Sequence, residues 1–95
     1  MKEIKVVVKS KVGLHARPAA LFVQTAAKFK SEVKVSCPDS ETSETRVANA
    51  KSILSILTLG VFQDTEITIQ ATGEDEEEAV QALNELVEGN FGETE

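Results

Sequence analysis

The sequence predicts an α+β fold, a two-layer open-faced β-sandwich in which three helices cover one face of a four-stranded antiparallel sheet. Apolar residues recur with a period of two in four segments and with a helical period in three others, in the order βαββαβα. Half-buried strands and helices with one apolar stripe can both bury their apolar residues when the helices pack on one face of the sheet and water covers the other face. The 95 residues suit a single domain, which we assign to residues 1–95.

The first strand and the first helix have the clearest patterns. Residues 2–9 alternate between apolar and polar and predict a strand. From Pro18 to Lys28 the period changes, which predicts an amphipathic helix with Ala19, Phe22, Val23 and Ala26 on one face. Proline suits the first position of a helix, so we expect the helix to begin at Pro18 and His15 to lie at its start.

The next two strands are separated by a polar loop. Residues 32–37 alternate and predict a strand that Pro38 ends, with Val33, Val35 and Cys37 facing inward. The loop over residues 38–45 is acidic and rich in hydroxyl groups, and we expect an irregular hairpin end there. A weaker strand is predicted over Thr45 to Ala48.

The second half of the chain predicts a short helix, a strand and a longer helix. Ser52 is placed to cap the short helix, which runs from Ile53 to Leu59, and Gly60 is placed to end it. A fourth strand follows over residues 66–72, with Ile67, Ile69 and Ala71 inward. The last helix is predicted from about residue 75 to residue 88, with an apolar stripe formed by Ala79, Leu83, Leu86 and Val87.

The charge of the chain is divided along its length. The net charge is −6, but all ten Lys and Arg lie at or before Lys51, together with five acids. The remaining residues carry eleven acids and no base. An acidic chain is a poor candidate for nucleic-acid binding, whereas an acidic or phosphorylated protein could meet the basic half. The alternative is that these charges only keep the surface soluble.

Targeting segments, disulfides and metal sites are not expected. No apolar stretch has the length of a membrane span, and residues 1–4 do not resemble a signal peptide, so we expect a cytoplasmic location without membrane insertion. Cys37 is the single cysteine and His15 the single histidine. They cannot form an internal disulfide or a four-ligand zinc site, and we expect no metal and no cofactor.

His15 is the first candidate for chemistry. A helix start presents unpaired N–H donors and a partial positive charge, and Arg17 adds a fork of donors two residues further on. A neutral imidazole is a nucleophile, so a histidine beside such donors could accept a phosphoryl group and pass it on. The alternative is a histidine that only caps the helix or packs against it.

Two motifs and one further stretch resemble a known family. The run from Gly13 to Ala19, GLHARPA, is followed by a second run from Val47 to Gly60, VANAKSILSILTLG, and by EITI and ATG between residues 66 and 73. With this element order they resemble HPr, the histidine phosphocarrier family of the bacterial phosphoenolpyruvate-dependent sugar phosphotransferase system. Asp64 stands where the turn before the last strand commonly has glycine in the family, and we interpret it as local variation, since aspartate can occupy a left-handed turn position at some cost.

The resemblance implies a carrier and not an enzyme. Such a protein takes a phosphoryl group from phosphorylated enzyme I and passes it to the IIA domains of sugar permeases. By the resemblance, His15 carries the group on Nδ1 and Arg17 stabilises the phosphoryl oxygens. Because the group must be handed on quickly, we expect His15 to be exposed.

The resemblance also implies a regulatory and a docking role for the central helix. Ser52 matches the serine that some members offer to HPr kinase/phosphorylase, which links them to a catabolite-control transcription factor. Docking of partners is implied for Ala20 on the first helix and for Ile53, Leu54 and Leu57 on the central helix, where we expect at least Leu54 and Leu57 to be exposed. We expect a monomer.

Three other functions stay open from the sequence. One is a paralogous carrier in a nitrogen-type or dihydroxyacetone-kinase phosphorelay, with the same chemistry at His15. Another is a regulatory binding protein that acts through Ser52 and the apolar helix. A small acyl carrier is the weakest, because Asp39, Ser40 and Glu41 lie in a loop without the apolar helix that should follow.

Overall fold

The computed structural model of the chain describes residues 1–9, 13–14, 16–38, 44–61, 63–89 and 91, and over these it contains four strands and three helices. They are β1 (Lys2–Val8), α1 (Ala16–Ala26), β2 (Glu32–Pro38), β3 (Thr45–Asn49), α2 (Ile53–Thr58), β4 (Thr65–Thr72) and α3 (Glu76–Glu88). The predicted element order is confirmed.

The sheet is fully antiparallel, with the strand order β1-β4-β2-β3. Ile69 of β4 pairs with Ile4 on one side and with Val35 on the other, so it lies near the middle of the sheet. Alternate residues of the strands enter one core together with the inner faces of the helices, while residues such as Lys5 and Lys34 face outward. The two-layer open-faced sandwich is therefore confirmed.

The helix α1 begins and ends two residues earlier than the sequence predicts. Its first residue is Ala16 and Pro18 is its third, a position where a missing N–H still costs no helical hydrogen bond. At the other end, the amides of Lys28 and Phe29 donate to carbonyls three residues back, at 3.2 Å each, so the helix closes in a tighter turn. The α-helix therefore stops at Ala26.

The other boundaries differ by one residue. Pro38 is the last residue of β2 and not the residue after it, because a terminal strand position tolerates the missing N–H. The strands β3 and β4 each gain one residue, and α2 ends at Thr58 with Leu59 as its C-cap. The irregular loop is predicted over residues 38–45, but its ends, Pro38 and Thr45, pair with each other in the sheet. Residues 39–43, where the irregular hairpin end would lie, are outside the described residues.

Two predicted turn residues are confirmed. Gly60 follows the C-cap of α2 with a φ of +68°, and Asp64 has a φ of +66° in the turn before β4. The amide of Asp64 donates to the carbonyl of Val8 at 2.7 Å, which joins this turn to the end of β1. No helix in the described part of the chain is long and apolar enough to cross a membrane.

Candidate functional site

The start of α1 presents one cation and no acid. Arg17, the second residue of α1, is exposed, whereas Pro18 and Ala19 are fully buried and fix the first turn on the core. The first turn contains no acidic residue, so its unpaired N–H groups and partial positive charge face no carboxylate of their own helix. His15, directly before Ala16 in sequence, lies outside the described residues. Its exposure therefore stays a prediction.

The segment before α1 is held by the turn after α2. Gly13 has a φ of +63°, and the amide of Leu14 donates to the carbonyl of Val61 at 3.1 Å. Leu14 and Val61 are both nearly fully buried. The backbone directly before His15 in sequence is thus tied to a fixed position at the end of α2.

The helices α1 and α2 pack against each other and run in opposite directions. Val61, after the end of α2, bonds to Leu14 before the start of α1. Lys51, before the start of α2, donates from its ammonium to the carbonyl of Phe29 beyond the end of α1, at 2.7 Å. The end of α2 therefore lies near the start of α1, and the start of α2 lies near the end of α1.

Ser52 is the N-cap of α2, as predicted. Its backbone is extended, with φ −117° and ψ 115°, and its hydroxyl oxygen accepts a hydrogen bond from the amide of Ser55 at 3.4 Å. The residue is half-buried. Because α1 and α2 are antiparallel, Ser52 lies at the end of α2 that is remote from the start of α1.

One face of α2 is apolar and exposed. Ile53, Leu54 and Leu57 are 39%, 73% and 36% exposed and lie within about 100° of arc around the helix axis. Ile56 points the other way and is fully buried in the core. The expected exposure of Leu54 and Leu57 is confirmed, and Ala20 of α1 is half-buried.

The charges that the sequence divides between its halves also occupy different helices. Arg17 is the one charged residue of α1, and α2 has none. The helix α3 carries no base and five acids, which are Glu76, Glu77, Glu78, Glu85 and Glu88. The surface of α1 and α2 is thus free of helical carboxylates and suits an anionic group or an acidic partner.

The carboxylates with the clearest pKa shifts lie near the start of α3. Hydrogen bonds from the Ser31 hydroxyl and the Lys30 amide lower the pKa of Asp75 to about 2. The terminal amino group and the amide of Gly73 lower the pKa of Glu76. Among the described residues, no three His, Cys, Asp or Glu side chains gather in a group that could hold a metal ion.

Sequence reasoning missed the residues that hold these elements in place. Asp75 binds Ser31 across 44 positions, and Arg46 donates to the carbonyl of Leu59, which is 13 positions away. Neither pair has a motif of its own. The one available signal was the position of Asp75 directly before the apolar stripe of α3, which predicts that its side chain caps that helix. In the structure the Asp75 side chain makes no capping hydrogen bond to α3.

The fold and the start of α1 define an open-faced sandwich protein with an exposed, cationic helix start. A family model, described as the PTS HPr component phosphorylation site, matches residues 2–89. The chain belongs to this family, the HPr phosphocarriers of the phosphotransferase system. Its place in that system is consistent with sugar transport.

Individual relatives agree over nearly the whole chain. Phosphocarrier protein HPr of Mycoplasma pneumoniae is 47% identical over 88 residues, which cover 93% of this chain and 94% of the relative. The crystal structure of HPr-C-His from Thermoanaerobacter tengcongensis has a TM-score of 0.86 at 49% identity and covers both chains fully. An HPr dimer from the same organism has a TM-score of 0.71 at 50% identity, covering 98% of this chain and 100% of that one.

Proposed function

We propose that this chain carries a phosphoryl group on His15, accepts it from phosphorylated enzyme I and passes it to the IIA domains of sugar permeases. The observation that carries this proposal is Arg17, exposed in the acid-free first turn of α1 and two positions after His15 in sequence. Membership of the HPr family supports the same assignment. The chain would then be a covalent intermediate of a transfer sequence and not an enzyme.

The chemistry needs a neutral imidazole and a stabilised phosphoryl group. A ring nitrogen of His15, Nδ1 by the family resemblance, attacks the phosphorus, and an N–P bond forms as the bond between phosphorus and enzyme I breaks. Enzyme I keeps the electron pair of the broken bond. Arg17 and the free N–H groups of α1 would stabilise the phosphoryl oxygens during and after transfer. The reverse displacement hands the group to a IIA domain.

The docking surface proposed for both partners is the exposed face of α2 together with α1. Ile53, Leu54 and Leu57 offer an apolar patch, and Ala20 of α1 adds a small half-buried side chain. The absence of helical acids on α1 and α2 favours acidic partners. We assign this exchange to a monomer in the cytoplasm.

Ser52 is proposed as a regulatory phosphorylation site for an ATP-dependent HPr kinase/phosphorylase. A phosphate would add about −1.5 to −2 charges next to Ile53 and Leu54, at the start of α2. That charge would weaken docking of acidic partners. The same modified surface would be available to a catabolite-control transcription factor.

The experiment is phosphorylation with labelled phosphoenolpyruvate and enzyme I. The wild-type chain should take about one acid-labile phosphoryl group per molecule. The variant His15→Gln should take none and keep its fold by circular dichroism, and Arg17→Ala should accept the group at least tenfold more slowly. Ser52→Ala is the matched control and should be labelled as fully as the wild type. A wild-type chain that takes no label contradicts the proposal.

A further inference from the structure

A side chain of β3 holds the C-terminal end of α2. Arg46 donates from Nη1 to the carbonyl of Leu59 at 3.3 Å, and the thiol of Cys37 on β2 donates to the same oxygen at 3.8 Å. The last carbonyls of a helix have no partner within the helix, and a cation is favourable beside them. Arg46 therefore helps to fix where α2 ends.

The turn after α2 joins this fixed end to the segment before α1. Gly60 follows Leu59 with a φ of +68°, and the next residue, Val61, is 4% exposed. The carbonyl of Val61 accepts the hydrogen bond from the amide of Leu14, whose side chain is 3% exposed. Two hydrogen bonds and two intervening peptide links thus connect the guanidinium on β3 with the backbone of Leu14.

We propose that Arg46 is a positioning residue for phosphoryl transfer at His15, acting through the end of α2 and the amide of Leu14. This inference rests on the proposed function. Because His15 follows Leu14 in sequence, displacement of Leu14 displaces the backbone that carries the imidazole. A misplacement of about 1 Å can cost on the order of a hundredfold in rate, so a hydrogen bond outside the site can control the transfer.

The first test measures hydrogen exchange at the Leu14 amide. In Arg46→Ala this amide should exchange about tenfold faster than in a control variant of equal global stability. Val80→Ala, a core residue on α3 that takes no part in this connection, is that control, compared at the urea concentration where its free energy of unfolding equals that of Arg46→Ala. Arg46→Lys keeps a donor and should restore part of the protection. Equal Leu14 exchange in Arg46→Ala and Val80→Ala would overturn the proposal.

The second test measures phosphoryl transfer from enzyme I at a temperature where every variant is folded. Arg46→Ala should lower kcat about fivefold with KM nearly unchanged, Arg46→Lys should recover part of the loss, and Val80→Ala should behave as the wild type. If the wild type is labelled but Arg46→Ala has an unchanged kcat, the role of Arg46 is overturned while the proposed function is not. A wild type that takes no label overturns that role and the proposed function together.

Discussion

Lys51 donates from its ammonium to the carbonyl of Phe29 at 2.7 Å, and this bond places the start of α2 beside the end of α1. The ammonium supplies a partner to a carbonyl that lies three residues beyond the last residue of α1. Ser52 follows Lys51, while the start of α1 lies toward the other end of α2. The six residues of α2 span about 9 Å, so Ser52 lies roughly that far along α2 from the end that is bonded, through Val61, to the segment before α1.

The replacement Ser52→Asp should therefore weaken docking without slowing the chemical step. With this chain as the substrate of enzyme I, KM should rise several-fold and kcat should stay within about twofold, because an added charge acts mainly on encounter. The defect should shrink at about 0.5 M salt, where the Debye length is short. Steady-state kinetics at two salt concentrations measure both effects.

Ser52→Asn is the control for that experiment, because asparagine keeps a capping oxygen and adds no charge. It should leave KM and kcat near the wild-type values. A fall in kcat at constant KM in Ser52→Asp would contradict the separation of the two sites.

Leu54 and Ile56 should separate docking from stability, because they point in opposite directions on α2. Leu54 is 73% exposed, so Leu54→Ala should change the free energy of unfolding by less than about 0.5 kcal/mol and raise KM for enzyme I several-fold. Ile56 is fully buried, so Ile56→Ala should cost about 2–4 kcal/mol and leave KM unchanged in the folded protein. Urea unfolding and transfer kinetics test the pair, and an unchanged KM in Leu54→Ala would contradict the docking surface.

The sequence predicts the parts of this molecule that depend on local chemistry. Ser52 as a cap, Gly60 after the last turn of α2 and Asp64 with a positive φ are all properties of a residue and its neighbours, and all three are confirmed. The period of two likewise identifies Val33 and Ile69 as core residues.

The sequence does not predict contacts that depend on how distant segments are brought together. The bonds from Leu14 to Val61 and from Arg46 to Leu59 exist because α1, α2 and β3 meet in the folded chain. The antiparallel packing that separates Ser52 from the start of α1 is a further example. For the same reason, the sequence predicts Arg17 beside the candidate histidine but gives no sign of Arg46.

Asp75→Asn should remove a pH-dependent part of the stability. The carboxylate accepts hydrogen bonds from the amides of Lys30 and Ser31 at 2.8 and 2.9 Å and from the Ser31 hydroxyl, which lower its pKa from 3.8 to about 2. Because the folded pKa lies below the unfolded one, the stabilisation is complete above about pH 4 and is lost as the pH falls through about 2.

Urea unfolding at several pH values measures this effect. Asp75→Asn should be less stable than the wild type at pH 7, and the difference should narrow below about pH 4 and vanish only below about pH 2. Glu78→Gln, an exposed change in the first turn of α3, should alter stability by no more than about 0.5 kcal/mol. A difference between Asp75→Asn and wild type that stays constant down to pH 2 would show that charge is not the cause.

Gly73 should tolerate no side chain, because it lies directly against Ser31 in the turn that joins β4 to α3. Its φ is +151°, and an added Cβ would lie 2.8 Å from the Cα of Ser31, a backbone atom that cannot move aside cheaply. We expect Gly73→Ala to lower the free energy of unfolding by roughly 2–4 kcal/mol.

Gly89→Ala is the matched control: Gly89 has an ordinary φ of −80°, and its added Cβ would approach the Glu85 carbonyl at 3.1 Å. Its cost should stay below about 1 kcal/mol, since alanine adopts that backbone readily. Thermal and urea unfolding of both variants measure the difference, and equal losses would show that the contact between Gly73 and Ser31 does not limit this turn.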